Sequence, residues 1–192
     1  MKVVYLTGAP AAGKSTTLRL LKKFDPSILC ISYGAELTKY IQQRDASSVS
    51  QQDLRARSAG IIRPEDIKAL DTSLLNSIEL RRGKCPIIID SHPVTKEDFG
   101  FRVTAFSLSS LRRLSPDEIW VLYAAPEVIC KRIHANPEGR PSVTKEQIRM
   151  HTNVQSSVAA TYGVISDAPV YLFDTDREQE ALAQDLLKRL KK

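Results

Sequence analysis

Gly8-Ala9-Pro10-Ala11-Ala12-Gly13-Lys14-Ser15 follows directly on the apolar run Val3–Thr7 and opens the helical pattern Lys14–Lys23. Glycine, four residues, glycine, lysine and serine between a strand and a helix make a phosphate-cradling loop of the Walker A kind. Each part has a physical task. The glycines let the chain curl until several backbone N–H groups face inward, and the helix N-terminus adds positive potential. Lys14 then bridges phosphate oxygens, and the Ser15 hydroxyl reaches Mg²⁺. An incidental glycine turn with a stray lysine does not account for this placement. Gly8, Ala9, Pro10, Ala11, Ala12, Gly13, Lys14, Ser15 and the adjoining Thr16 are therefore read as a nucleoside triphosphate site.

Outward from this loop, apolar runs bounded by turn residues recur at Ile28–Ser32, Pro86–Asp90, Ile119–Tyr123 and Val170–Phe173. Their apolar content is nearly continuous rather than alternating, which is the mark of strands buried on both faces of a parallel sheet. Helical patterns separate them: Ala35–Arg44, Pro64–Arg82, Ser107–Leu114, Pro126–Ala135, Thr144–Ile165 and Arg177–Lys191. Five strands alternating with helices predict a three-layer α/β fold with a five-stranded parallel sheet flanked by helices. Pro64 with Glu65 and Asp66 opens one helix, Thr144 with Gln147 opens another, and Ser115-Pro116-Asp117 turns the chain before the fourth strand. Asp45–Ile62, Ser91–Phe106 and Asn136–Val143 have no regular pattern, and such long loops are where function concentrates in α/β domains.

A chain of 192 residues with 42% hydrophobic and 26% charged residues fits one globular core and excludes disordered, collagen-like and coiled-coil readings. No apolar run approaches the ~20 residues that span a bilayer, so neither an anchor nor a signal peptide is expected and the cytoplasm is the expected compartment. Cys30, Cys85 and Cys130 lie far apart without metal or redox spacing, and are read as reduced thiols that fill structure. The net charge of +6 favours an anionic partner. Nucleic acid fits that sign, but the arginines are scattered with little aromatic interleaving, which weighs against a single-strand platform. The densest basic run, Lys188 to Lys192, closes a helical segment where cations favour the negative end of the helix dipole.

Asp90 closes an apolar strand whose end, in a parallel sheet, lies near the phosphate loop. It can hold a water of the Mg²⁺ shell or orient an acceptor, and a solvated strand-end cap is the alternative. His92 follows two residues on and reads first as a structural hydrogen-bonding residue. His134 and His151 have no partner at metal-ligand spacing and read as surface or helix residues.

The ordered set of the glycine loop, Ile31-Ser32-Tyr33-Gly34, Asp90-Ser91-His92, Leu114-Ser115-Pro116-Asp117 and Ala160-Thr161-Tyr162-Gly163-Val164 resembles the archaeal-type adenylate kinases over nearly the whole chain. The resemblance implies a single P-loop kinase domain over 1–192, with an acceptor-binding insertion at about 34–82 and a lid at about 136–143. It implies transfer of the γ-phosphoryl group of MgATP to a nucleoside monophosphate, with AMP as first choice. By matching position, Tyr33, Gly34, Arg55, His92 and Arg102 would face the acceptor. Lys14, Asp90, Arg132 and Arg140 would serve transfer, with Arg132 and Arg140 in the lid region, and Ser15 and water-mediated Asp90 would hold Mg²⁺. Arg57 and Arg63 read as surface residues. A kinase for another small acceptor or a nucleic-acid end, and a non-catalytic ATP-dependent switch, are the alternatives.

Overall fold

The computed structural model describes residues 1–45, 61–136 and 143–192. From the N-terminus run β1 (Val3–Thr7), α1 (Lys14–Phe24), β2 (Leu29–Ser32), α2 (Tyr33–Asp45), α3 (Pro64–Arg81), β3 (Ile87–Asp90), β4 (Val94–Glu97) and β5 (Gly100–Val103). They are followed by α4 (Leu108–Leu114), β6 (Glu118–Tyr123), α5 (Pro126–Ala135), α6 (Lys145–Ser166), β7 (Val170–Asp174) and α7 (Gln179–Leu190). The main sheet has the order β2-β3-β1-β6-β7 with every pairing parallel, as the sequence predicts.

Successive strand residues point to opposite faces. Val3, Tyr5, Ile87, Ile89, Ile119 and Val121 therefore pack on one side, against Leu75 and Ile78 of α3, Leu111 and Leu114 of α4, and Tyr162 of α6. Val4, Leu6, Ile88, Trp120 and Leu122 pack on the other, against Leu21 of α1 and Leu182 and Leu186 of α7. Two covered faces explain why the strands read as unbroken apolar runs. Cys85, Cys30 and Cys130 each sit at the edge of a different apolar cluster, in the filling role expected of them.

The predicted start signals hold in atomic detail. Thr144 and Gln147 close a reciprocal capping box on α6, and the Asp117 carboxylate accepts the Val3 N–H at 2.6 Å, tying the turn to the first strand. The basic C-terminus does more than complement a dipole: Arg189 donates to Glu118 at 2.7 Å and lies over the Tyr171 ring. Among the described residues no helix is long and apolar enough to cross a membrane.

Two local readings change. The segment Ser91–Phe106 is not wholly irregular, because β4 and β5 form an antiparallel hairpin around the turn Asp98-Phe99, with Gly100 at φ 139°. Four-residue strands bearing Lys96, Glu97 and Arg102 carry too little apolar periodicity to announce themselves. Tyr33 and Gly34, left between the predicted strand Ile28–Ser32 and the predicted helix Ala35–Arg44, stand in the first turn of α2, since the helix begins immediately after Ser32.

Candidate active site

The glycine loop leaves β1 at the carboxyl edge of the sheet and enters α1 without a spacer, so the first N–H groups of the helix face the loop. Gly8 has φ 152°, and a Cβ there would lie 2.3 Å from the Leu122 carbonyl oxygen on β6. Gly13 caps α1 in the left-handed region at φ 95°, and Ala11 shares that region at φ 61°. These positions make the curl that the motif requires. The Lys14 ammonium donates to Gly8 O at 2.6 Å and Ala9 O at 3.3 Å, which arches the side chain back over the loop. Ser15 is exposed beside it, and the first turn of α1 contains no acidic residue.

Asp90 closes β3 opposite Leu6 of β1 on one side and Ser32 of β2 on the other, which sets it beside the strand that feeds the loop. Arg132, on α5, braces the loop from the far side. Its guanidinium donates to Ala11 O at 3.3 Å, to Thr175 Oγ1 at 2.9 Å and to Thr175 O at 2.8 Å. Thr175 follows β7, so one planar fork joins the tip of the glycine loop to the last strand. Nothing in the sequence spacing announces Thr175, because its role arises from the parallel packing of β6 and β7.

On the β2–β3 side of the same edge lies a cavity of about 830 Å³, lined by Tyr33, Gly34, Asp71, His92, Arg102 and Phe106 among others. The four described acceptor-site residues nominated from sequence thus meet in one space. Arg63, read as a surface residue, is exposed and stands at its rim. Arg55 and Arg57, together with Arg140 and 137–142 of the expected lid, lie outside the described residues.

Arg102 is held by Glu97 across the hairpin at 3.2 Å. The hairpin is in turn pinned to α6 by His151, which donates from Nε2 to Val94 O at 3.0 Å and meets the Phe101 ring edge-on at 5.2 Å. His151 is a helix residue, as one of its two readings has it, but it is buried, at 6% exposure, and not on the surface. Burial holds the imidazole down from its ordinary 6.5 to about 4, with the Val94 carbonyl opposing and the charge of Lys14 adding to the depression. A base whose folded-state pKa is lowered stabilises the fold fully above about pH 6.5 and loses that contribution as pH falls toward 4. Over that window the wild type should lose about 3 kcal/mol relative to His151→Gln, which keeps a donor for Val94 but does not titrate. Denaturant unfolding at pH 4 and pH 7 checks this, and parallel pH profiles for the two proteins would contradict it.

Tyr33 donates its hydroxyl to Asp71 Oδ1 at 2.7 Å, while Tyr162 accepts the Phe106 N–H at 2.7 Å. Tyr162 and Gly163 belong to the stretch Ala160–Val164 singled out by resemblance. Its pattern has a packing basis: Tyr162 reaches the cavity, and a Cβ on Gly163 would lie 2.4 Å from Val170 Cγ2. Asp71 and Phe106 were not legible as site residues. One lies mid-helix among apolar positions and the other at the end of an unpatterned loop.

The family model described as AAA domain matches residues 7–149. The chain belongs to the AAA domain family. Adenylate kinases from Pyrococcus furiosus and Thermococcus kodakarensis are 24% and 26% identical to it, each matching 98% of this chain and 94% of the relative. That of Thermoplasma acidophilum is 24% identical over 95% of both chains. Among solved structures, a shikimate kinase from Acinetobacter baumannii in complex with shikimate superposes with a TM-score of 0.59 at 14% identity. It covers 100% of this chain and 93% of its own. The Deinococcus radiodurans tunicamycin resistance protein reaches 0.59 at 15% identity, covering 98% and 95%. The AAA domain chain is thus a nucleotide-binding P-loop protein of the kinase type, with the five-stranded fold of the P-loop kinases.

The residues present fit ATP and Mg²⁺. The loop packs so closely on β6 that a Cβ at Gly8 would strike the Leu122 carbonyl, and beside that curled backbone Lys14 provides a cation and Ser15 an exposed hydroxyl. Among the described residues no three His, Cys, Asp or Glu side chains converge as a metal site. Magnesium would therefore rest on Ser15, on Asp90 through water, and on the phosphates themselves, which is its habit in phosphoryl-transfer sites.

Proposed function

We propose that this chain is a nucleoside monophosphate kinase, with AMP as the first acceptor, built as one domain whose acceptor-binding insertion is about 34–82. MgATP supplies the γ-phosphoryl group. Lys14 and the loop N–H groups hold the donor phosphates, while Arg132 keeps the loop in register with β7. Arg102 and His92 present positive charge and hydrogen bonds to the phosphate of the acceptor, and Asp90 orients groups between the two sites. Phosphoryl transfer asks a protein mainly for positioning and charge neutralisation, and this arrangement meets both. The observation that carries the reading is the convergence of Tyr33, Gly34, His92 and Arg102 on one cavity at the sheet edge that also bears the glycine loop.

Offering MgATP with each monophosphate separately should give diphosphate only where an acceptor is added. A product formed on oligonucleotide ends instead would favour an end kinase, and slow hydrolysis indifferent to any acceptor would favour a switch. Arg102→Ala should raise the acceptor KM about tenfold or more while the MgATP KM moves little, since a charged hydrogen bond to phosphate contributes roughly 1.5–3 kcal/mol. Equal damage to both constants would assign Arg102 to the hairpin or the donor instead.

A further inference from the structure

Asp71 lies in the middle of α3 and lines the cavity, yet is only 6% exposed. Its neighbours along the buried face, Leu70, Leu75 and Ile78, are apolar. Among the described residues its partners are hydroxyls, from Tyr33 at 2.7 Å and from Ser110, and no cation pairs with it. Burial pushes its carboxyl above the usual range, against the pull of the two hydroxyls. A buried carboxylate without a cation destabilises a fold that an apolar or amide residue would serve as well. Groups of this kind cluster where a ligand is bound.

A carboxylate only accepts, at about four lone-pair positions, and the hydroxyls of Tyr33 and Ser110 leave capacity for further donors. The wall beside it is aromatic. Tyr33 and Phe106 meet edge-to-face at 5.7 Å and Phe106 lies 6.2 Å from Tyr162, surfaces that suit a flat ring. Arg102 and His92 line the same cavity. The space is thus aromatic and acceptor-rich around Asp71, and donor-rich around Arg102 and His92.

We infer that Asp71 determines acceptor specificity, its carboxylate receiving the N–H of an exocyclic amino group on a purine monophosphate whose phosphate lies toward Arg102 and His92. The inference rests on the acceptor-site reading above and deepens it. An amino-bearing base then gains a charge-assisted hydrogen bond that its desamino counterpart lacks, and the counterpart leaves Asp71 desolvated with a donor missing. A site built around one such bond discriminates by about 30-fold or more.

The test uses the whole protein and two matched pairs, AMP with purine riboside 5′-monophosphate, and GMP with inosine 5′-monophosphate. For the pair that the wild type accepts better, kcat/KM should favour the amino-bearing member by about 30-fold or more. In Asp71→Asn, which keeps an oxygen for Tyr33 but adds a donor, that ratio should fall to within about threefold of unity. The melting temperature of the variant should stay level or rise, because a buried charge has been removed. A wild-type ratio near unity, a ratio unchanged in the variant, or a variant that fails to fold would each overturn the assignment of Asp71 while leaving the kinase reading intact. Absence of turnover with every monophosphate would overturn that reading as well.

Discussion

Lys14→Ala is expected to lower kcat for phosphoryl transfer about 10³-fold while leaving the fold in place. The reason lies in what the side chain does and does not touch. Lys14 is the first residue of α1, and its ammonium arches back to the Gly8 and Ala9 carbonyls at the start of the loop. The helix is fixed elsewhere, by Leu20 and Leu21 in the core and by the left-handed Gly13 at its cap. Alanine is a strong helix former, so the substitution should destabilise by no more than about 1 kcal/mol. The catalytic loss is larger because an ammonium held over the loop acts, together with the loop N–H groups, where negative charge develops on the transferring group, in a partly desolvated setting. Thermal unfolding and steady-state rates on the same preparation separate the two effects. A variant that transfers phosphate at the wild-type rate would remove the phosphate-cradle assignment, and a collapsed melting temperature would recast Lys14 as a structural tie.

The contrast between this loop and the cavity beside it shows which physics a sequence carries in the open. The glycine loop is contiguous, and each of its residue types answers a local backbone demand, so eight letters suffice to reveal it. The sheet is nearly as open, because burial on both faces writes uninterrupted apolar runs such as Pro86–Ile89. The cavity is assembled from α2, α3, the hairpin and the segment before α4, and no single window contains it. Tyr33, His92 and Arg102 are nominated by resemblance and not by spacing. Asp71 stayed hidden because a carboxylate flanked by Leu70 and Thr72 looks like the polar face of an amphipathic helix until the fold turns that position inward. His151 escaped for the same reason: only the hairpin, itself too short and polar to be read, gives it a carbonyl and a ring to pack against.

Arg132→Ala should be the second most damaging change, lowering kcat/KM for MgATP about 10²-fold and weakening the fold by about 1–3 kcal/mol. The fork reaches Ala11 O, Thr175 Oγ1 and Thr175 O together, so its loss frees the left-handed tip of the glycine loop from the strand behind it. Thr175 itself keeps other ties, because its hydroxyl donates to Tyr123 O at 3.0 Å and its carbonyl accepts from Gln179 at 2.7 Å. The strand end should therefore stay put while the loop tip shifts. A displacement of about 1 Å in a phosphate-positioning loop is enough for a hundredfold loss. Arg132→Lys discriminates further, since an ammonium can serve one of the two Thr175 oxygens but cannot span them as a planar fork does. It should recover part of the stability and little of the rate. If Arg132 instead contacts the transferring phosphoryl group directly, kcat will fall with the melting temperature and MgATP affinity unchanged, the pattern of an interaction made only in the transition state. A lowered melting temperature with full activity would mean that the loop keeps its shape without the brace.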